Sequence, residues 1–191
     1  MEKDIIKSLI ETHQQVVENI KTTLIDDIVK ASQACEKAIK AGNKLLFCGN
    51  GGSAADCQHI AAEFVGRFQL TRKGLPAIAL TTDTSALTAI ANDFGYENVF
   101  SRQVEALGKK GDVIFCLSTS GNSKNVLIAL RKAKELGILT IGITGRTGGD
   151  IMKETDVCIN VSHDNTARIQ EGHILIGHII CELLDDMKNE Q

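Results

Sequence analysis

Apolar residues in the first 42 positions recur at helical spacing: Ile5, Leu9, Val16 and Ile20 fall on one face of a 3.6-residue turn. After Gly42 the pattern changes. Short apolar runs follow at 44–48 (KLLFC), 77–80 (AIAL), 112–117 (DVIFCL), 138–143 (ILTIGI) and 156–161 (DVCINV). Between them lie helix-like segments at roughly 53–68, 84–92, 98–108 and 122–136, and a long one closes the chain at about 166–188. Near-continuous apolar strands alternating with helices predict a parallel sheet covered on both faces. The expected fold is a three-layer, doubly wound α/β domain with five parallel strands. It spans 1–191 as one unit, with 1–42 as an N-terminal helical extension suited to contacts between subunits.

Two loops follow predicted strands, where ligands collect in such sheets. The first, CGNGGSAAD (48–56), leads into a helix that Ser53 could cap. The second, STSGNS (118–123), offers Asn122 or Ser123 as a cap. Glycines allow close backbone approach, and free N–H groups at a helix start attract an anion. Hydroxyls add further donors. Capping alone could explain one such loop; two in one sheet favour a phosphate ligand. The run G-N-G-G-S-A (49–54) fits the dinucleotide pattern G-x-G-x-x-A. The acid expected about 20 positions later is missing, since Asp83 lies 34 positions after Gly49. No G-x-x-x-x-G-K-[ST] occurs, so a small phosphorylated ligand fits better.

Charge and composition narrow the partners. The chain carries a net charge of −3 without a block of like charges, and aromatics are only 4% of its residues. Neither a nucleic-acid surface nor an acidic membrane is expected. The start of the chain lacks a signal-peptide pattern, and no apolar stretch approaches the ~20 residues of a membrane span. Six cysteines without a C-x-x-C pair suit a reduced, cytoplasmic protein.

Candidate chemistry sits on two helices. His59 and Glu63 are four apart and share a face. Gln170 and His178 lie two turns apart on the last helix, roughly 12 Å along its axis and too far for a chelate of their own. Together the four could form a mixed N/O site of the kind that suits zinc, or remain solvated helix polars. A carboxylate could take a carbon-bound proton while an imidazole serves oxygens. His13 and His163 show no partner signature and read as surface residues. Arg67 could pair with a carboxylate or phosphate, and Asn92-Asp93 could form a turn or hold sugar hydroxyls.

Four stretches together carry a resemblance: CGNGGSAADCQHIAAEFVGRF, AIANDFGYENVFSRQVEALG, GDVIFCLSTSGNSKNV and ARIQEGHILIGHIICEL. The chain resembles bacterial phosphoheptose isomerases of the sugar isomerase (SIS) family, over essentially its whole length and with the motifs in order. That resemblance implies a flavodoxin-like SIS fold and conversion of D-sedoheptulose 7-phosphate to D-glycero-D-manno-heptose 7-phosphate, the first step towards the heptose of lipopolysaccharide core. It implies a cytoplasmic homotetramer with active sites at subunit contacts, and a bound zinc. Carried over by motif, Glu63 is the general base and His178 the general acid. The sugar phosphate is held by Asn50, Gly51, Gly52, Asn92, Asp93, Ser118, Thr119, Ser120 and Ser123. Ser53, Arg67 and Gln170 lie close to it, and His59, Glu63, Gln170 and His178 form the zinc set. Some members carry an aspartate where this chain has Ala167, so no carboxylate role transfers there. A rival from another class is the DnaA initiator-associating protein, a tetrameric SIS relative that binds rather than catalyses. It has a small hydroxyl residue at the position of Glu63 and an asparagine at that of His178, whereas this chain retains both groups needed for proton transfer.

Overall fold

The computed structural model describes residues 1–185. Two helices, α1 (Glu2–Thr23) and α2 (Ile25–Lys40), precede β1 (Leu45–Cys48) and α3 (Gly52–Val65). Then come β2 (Ala77–Ala79), α4 (Thr84–Phe94), a single 3-10 turn at Tyr96–Asn98 and α5 (Ser101–Leu107). The second half runs β3 (Val113–Ser118), α6 (Lys124–Glu135), β4 (Leu139–Gly145), α7 (Gly149–Glu154), β5 (Val157–Val161) and α8 (Thr166–Asp185). All five expected strands are present. The short α7 was not expected, because six residues between two strands carry too little periodicity to register. The expected residues 186–188 of the last helix lie outside the described residues.

The strands pair in parallel in the order β2-β1-β3-β4-β5. Side chains alternate across the pleat. Leu45, Phe47, Val113, Phe115 and Leu117 face one layer with α1, α2, α3 and α8, while Leu46, Cys48, Ile114 and Cys116 face the other with α5 and α6. Phe47 stacks on Phe115 with ring centroids 4.8 Å apart and on Phe64 of α3 at 6.1 Å, which seats α3 against the centre of the sheet. All six cysteines are free thiols, five of them buried. Among the described residues, no helix is long and apolar enough to cross a membrane.

This strand order has one switch point, between β1 and β3, from which successive connections run outward in opposite directions. A crevice opens there beyond the carboxyl ends of the strands. The loops at 49–51 and 119–123 flank it, which is where the glycines and hydroxyls of the sequence lie.

Candidate active site

The loop after β1 turns on Gly51, whose φ of +54° favours glycine, and α3 begins at once. Ser53 does not cap this helix. It is buried inside the first turn, and Gly51 takes the cap position without a side-chain bond. Asn50 is committed to neighbours: its amide and that of Asn125 donate to one another at 2.8 Å each way, and the Tyr96 hydroxyl donates to Asn50 Oδ1 at 3.1 Å. The pair ties the first loop to the start of α6. What the loop offers an incoming anion is therefore mainly backbone N–H.

The second loop gathers hydroxyls. Ser118 Oγ lies 2.8 Å from Ser123 Oγ and 3.3 Å from Ser120 Oγ, in front of the N-terminus of α6. Ser123 holds the cap position without capping through its side chain, which leaves its hydroxyl in the cluster. Thr119 is half-buried beside them. Asn122 points away: its Oδ1 accepts from the Asp150 N–H at 3.0 Å and so joins the loop to α7. Gly121, with φ of +69°, sits where a Cβ would lie 2.0 Å from the Gly148 carbonyl, so only glycine permits this packing. Three convergent hydroxyls at a helix start are donors of the kind a phosphate can use.

Along its length α3 packs against α8. Their approach is close because Gly177 has no side chain: a Cβ there would lie 2.2 Å from Ile60 Cδ1. Across this contact His59 Nε2 and His178 Nε2 face one another at 2.9 Å, and Glu63 Oε1 lies 3.5 Å from His59 Nε2. The imidazole of His178 also stacks against Phe68, with centroids 5.6 Å apart. Gln170 reaches the first loop, with its amide within 2.7 Å of where a Gly52 Cβ would be. His59, Glu63 and His178 thus meet towards the end of α3, while Gln170 lies at its start.

Asp56 belongs to the same group and escaped the sequence reading. It precedes His59 by one helical turn, and that i, i+3 spacing was the available signal. Burial pushes its carboxyl above the usual range, opposed by a hydrogen bond with Gln170 and by the His59 and His178 imidazoles, and its Oδ2 has no partner. Two other residues lie apart from the group. Arg67 is exposed and donates only to the Gln69 carbonyl at 3.4 Å, while Asn92 bonds to Asp93 at 2.8 Å on the exposed end of α4. Among the described residues no hydrogen bond joins either to Glu63 or His178. His13 does have a partner, Glu171 of α8 at 2.7 Å, and His163 Nδ1 accepts from Asn165 N.

The donor set was tested for zinc. Two imidazole nitrogens 2.9 Å apart cannot both present lone pairs unless one carries a proton or a cation lies between them. Zinc–nitrogen bonds of ~2.0–2.1 Å in a tetrahedron separate donors by about 3.3 Å. The 2.9 and 3.5 Å separations bracket that value. Among the described residues no three His, Cys, Asp or Glu form a finished metal cage. Two imidazoles and the adjacent carboxylate are donor types that zinc uses, without forming a finished set.

Comparison with known proteins agrees with this arrangement. The SIS domain profile matches residues 9–145. The phosphoheptose isomerase of Geotalea daltonii is 58% identical over 180 residues, covering 94% of each chain. The solved structure of phosphoheptose isomerase GmhA from Neisseria gonorrhoeae superposes with a TM-score of 0.92 at 43% identity, covering 98% of this chain and 100% of its own. That of a phosphoheptose isomerase from Francisella tularensis gives 0.93 at 36% identity, with 97% and 98% covered. A parallel sheet of this order, a hydroxyl loop at its switch point, a histidine–carboxylate group where α3 meets α8 and relatives matched nearly end to end lead to one conclusion: the chain belongs to the SIS-domain family, among its phosphoheptose isomerases.

Proposed function

We propose that the protein isomerises D-sedoheptulose 7-phosphate to D-glycero-D-manno-heptose 7-phosphate, with Glu63 as base and His178 as acid. The observation that carries this reading is the convergence of Glu63, His59 and His178, with His59 2.9 Å from His178 and 3.5 Å from Glu63. The 7-phosphate rests on Ser118, Thr119, Ser120 and Ser123 and on the backbone of Asn50, Gly51 and Gly52. That end undergoes no chemistry; its binding energy holds C1 and C2 against the carboxylate.

The Glu63 carboxylate takes a proton from C1 of the open-chain ketose. The released electron pair forms the C1–C2 double bond, and the C2 oxygen receives a proton from His178, giving a cis-enediol. Glu63 then returns its proton to C2 while His178 recovers one from the C1 hydroxyl, leaving the aldehyde. Phe68 shields one face of His178 from water. His59, Glu63, Gln170 and His178 are the residues that would hold a zinc ion, loosely enough to leave the Glu63 carboxylate free for the proton; it would supply Lewis acidity for negative charge on the sugar oxygens.

The working form is a homotetramer with sites at subunit contacts. In support, α1 exposes Ile5, Ile6, Leu9 and Ile10 to between 47 and 56%. Arg67, Asn92 and Asp93 also face outward, available to a site completed by a second copy. The enzyme acts in the cytoplasm and its product feeds the heptose of lipopolysaccharide core. Incubating purified protein with sedoheptulose 7-phosphate and following the heptose product by NMR tests the reading. Accumulation of the aldose supports it, and an unchanged ketose in the presence of zinc sinks it.

A further inference from the structure

We infer that Arg72 and Asp185 are positioning residues: their buried ion pair locks the last turn of α3, which carries Glu63, to the end of α8, which carries His178. The inference rests on the catalytic reading of those two residues but is built from other atoms.

Glu63 stands in the final turn of α3, where the last carbonyls have no helical partner. Gly66 N–H closes on the Ala62 carbonyl, and the next two carbonyls are taken by one guanidinium. Arg72 Nη2 donates to Glu63 O at 3.1 Å and Nη1 to Phe64 O at 2.9 Å. The third arm, Nε, donates to Asp185 Oδ1 at 2.7 Å. The other carboxylate oxygen, Oδ2, accepts from the Gln69 N–H at 2.8 Å and the Leu70 N–H at 2.5 Å. Both side chains are almost wholly buried, at 6 and 2% exposure. Burial pushes the Asp185 carboxyl up, yet the two N–H groups and the guanidinium outweigh it and hold the group below the usual carboxylate range.

Residues 66–76 form no regular element between α3 and β2. Their order depends on these bonds and on Leu75 N–H donating to the Phe64 carbonyl at 2.9 Å. Asp185 lies seven residues, close to two turns, beyond His178 and so on the same face of α8. The pair therefore pins α3 to α8 below the site, as the Gly177–Ile60 contact does within it. A guanidinium fork reaches three acceptors at once; an ammonium does not. Replacing a buried ion pair by apolar residues of similar volume is often neutral for stability, so the anchor can be removed without losing the fold.

The test uses the full-length protein with Arg72→Lys, Asp185→Asn and the double variant Arg72→Met with Asp185→Leu. For each, kcat per folded molecule and KM for sedoheptulose 7-phosphate are measured, alongside amide hydrogen exchange. Anchoring predicts that kcat falls about 10- to 100-fold while KM changes less than about three-fold, because neither residue is hydrogen-bonded to the phosphate loop. It also predicts faster exchange at Phe64, Val65 and Gly66, with the α8 core still protected. Folded variants with the parent's kcat and the parent's exchange at residues 64–66 overturn the inference. If the parent itself leaves the sugar unchanged, the functional reading falls, and the exchange pattern alone then decides the anchor.

Discussion

His59 and His178 meet edge to face, Nε2 to Nε2 at 2.9 Å, although 119 residues separate them along the chain. The contact exists because Gly177 lets α8 settle against Ile60 of α3, and it brings Glu63 to the same point. The two imidazoles and the carboxylate share a single seam.

Removing the carboxylate while keeping its shape isolates its role. Glu63→Gln is expected to lower kcat at least about 10²-fold, since an amide cannot accept the C1 proton. Calorimetry should show the ketose phosphate still binding, because the hydroxyl loop is untouched. Parental turnover in this variant would rule out Glu63 as the base.

Metal removal acts on the same seam from another side. A chelator is expected to reduce kcat about tenfold or more, and zinc to restore it. His59→Ala should lower the zinc content measured by elemental mass spectrometry. Full activity in chelated protein shown to be metal-free contradicts the zinc assignment.

Two glycines separate stability from activity. A methyl at Gly52 lies 2.0 Å from Gln170 Nε2, the far end of a flexible side chain that can swing away. Gly52→Ala should therefore leave the unfolding free energy unchanged or slightly higher, by less than the ~1 kcal/mol of a helix-interior Gly→Ala change, while kcat/KM drops. Gly177→Ala forces apart two packed helices and is expected to cost about 1–3 kcal/mol as well as kcat. Urea titrations alongside kinetics distinguish the two.

His173 sets an acid limit on stability. Burial pushes its imidazole down to about 4, partly opposed by the Nε2–H bond to the Thr144 carbonyl at 2.9 Å, and its Nδ1 is buried without a partner. The folded state favours the neutral ring, so this contribution is intact above the unfolded value near 6.5. It declines as pH falls from there towards 4, by about 3 kcal/mol in total. His173→Gln keeps a donor for Thr144 but does not titrate. Unfolding free energies at pH 7 and 4.5 should differ less in this variant than in the parent; equal differences would assign the acid loss to other groups.

Much of this was legible in the chain. The five apolar runs matched β1 to β5 within one or two residues, because strands buried on both faces must be apolar throughout. The glycine and hydroxyl loops were legible because backbone approach to an anion restricts residue types. Ser53 was misjudged as a cap, since burial of its hydroxyl depends on how α3 seats against the sheet. Asp56 had only its spacing to His59, and Arg72 and Asp185 carry no local signature. An aspartate near a chain end and an arginine in an irregular segment read as surface charges until packing puts them together.

Sequence by itself determined the α/β class, the two anion loops and the residue types available for proton transfer, all of which follow from short-range periodicity and turn chemistry. Only the tertiary structure decided that α3 and α8 cross at Gly177, that Asn50 is spent on Asn125, and that one guanidinium closes the helix bearing Glu63. Those relationships join residues more than a hundred positions apart in some cases and are created by close packing, which no local pattern records.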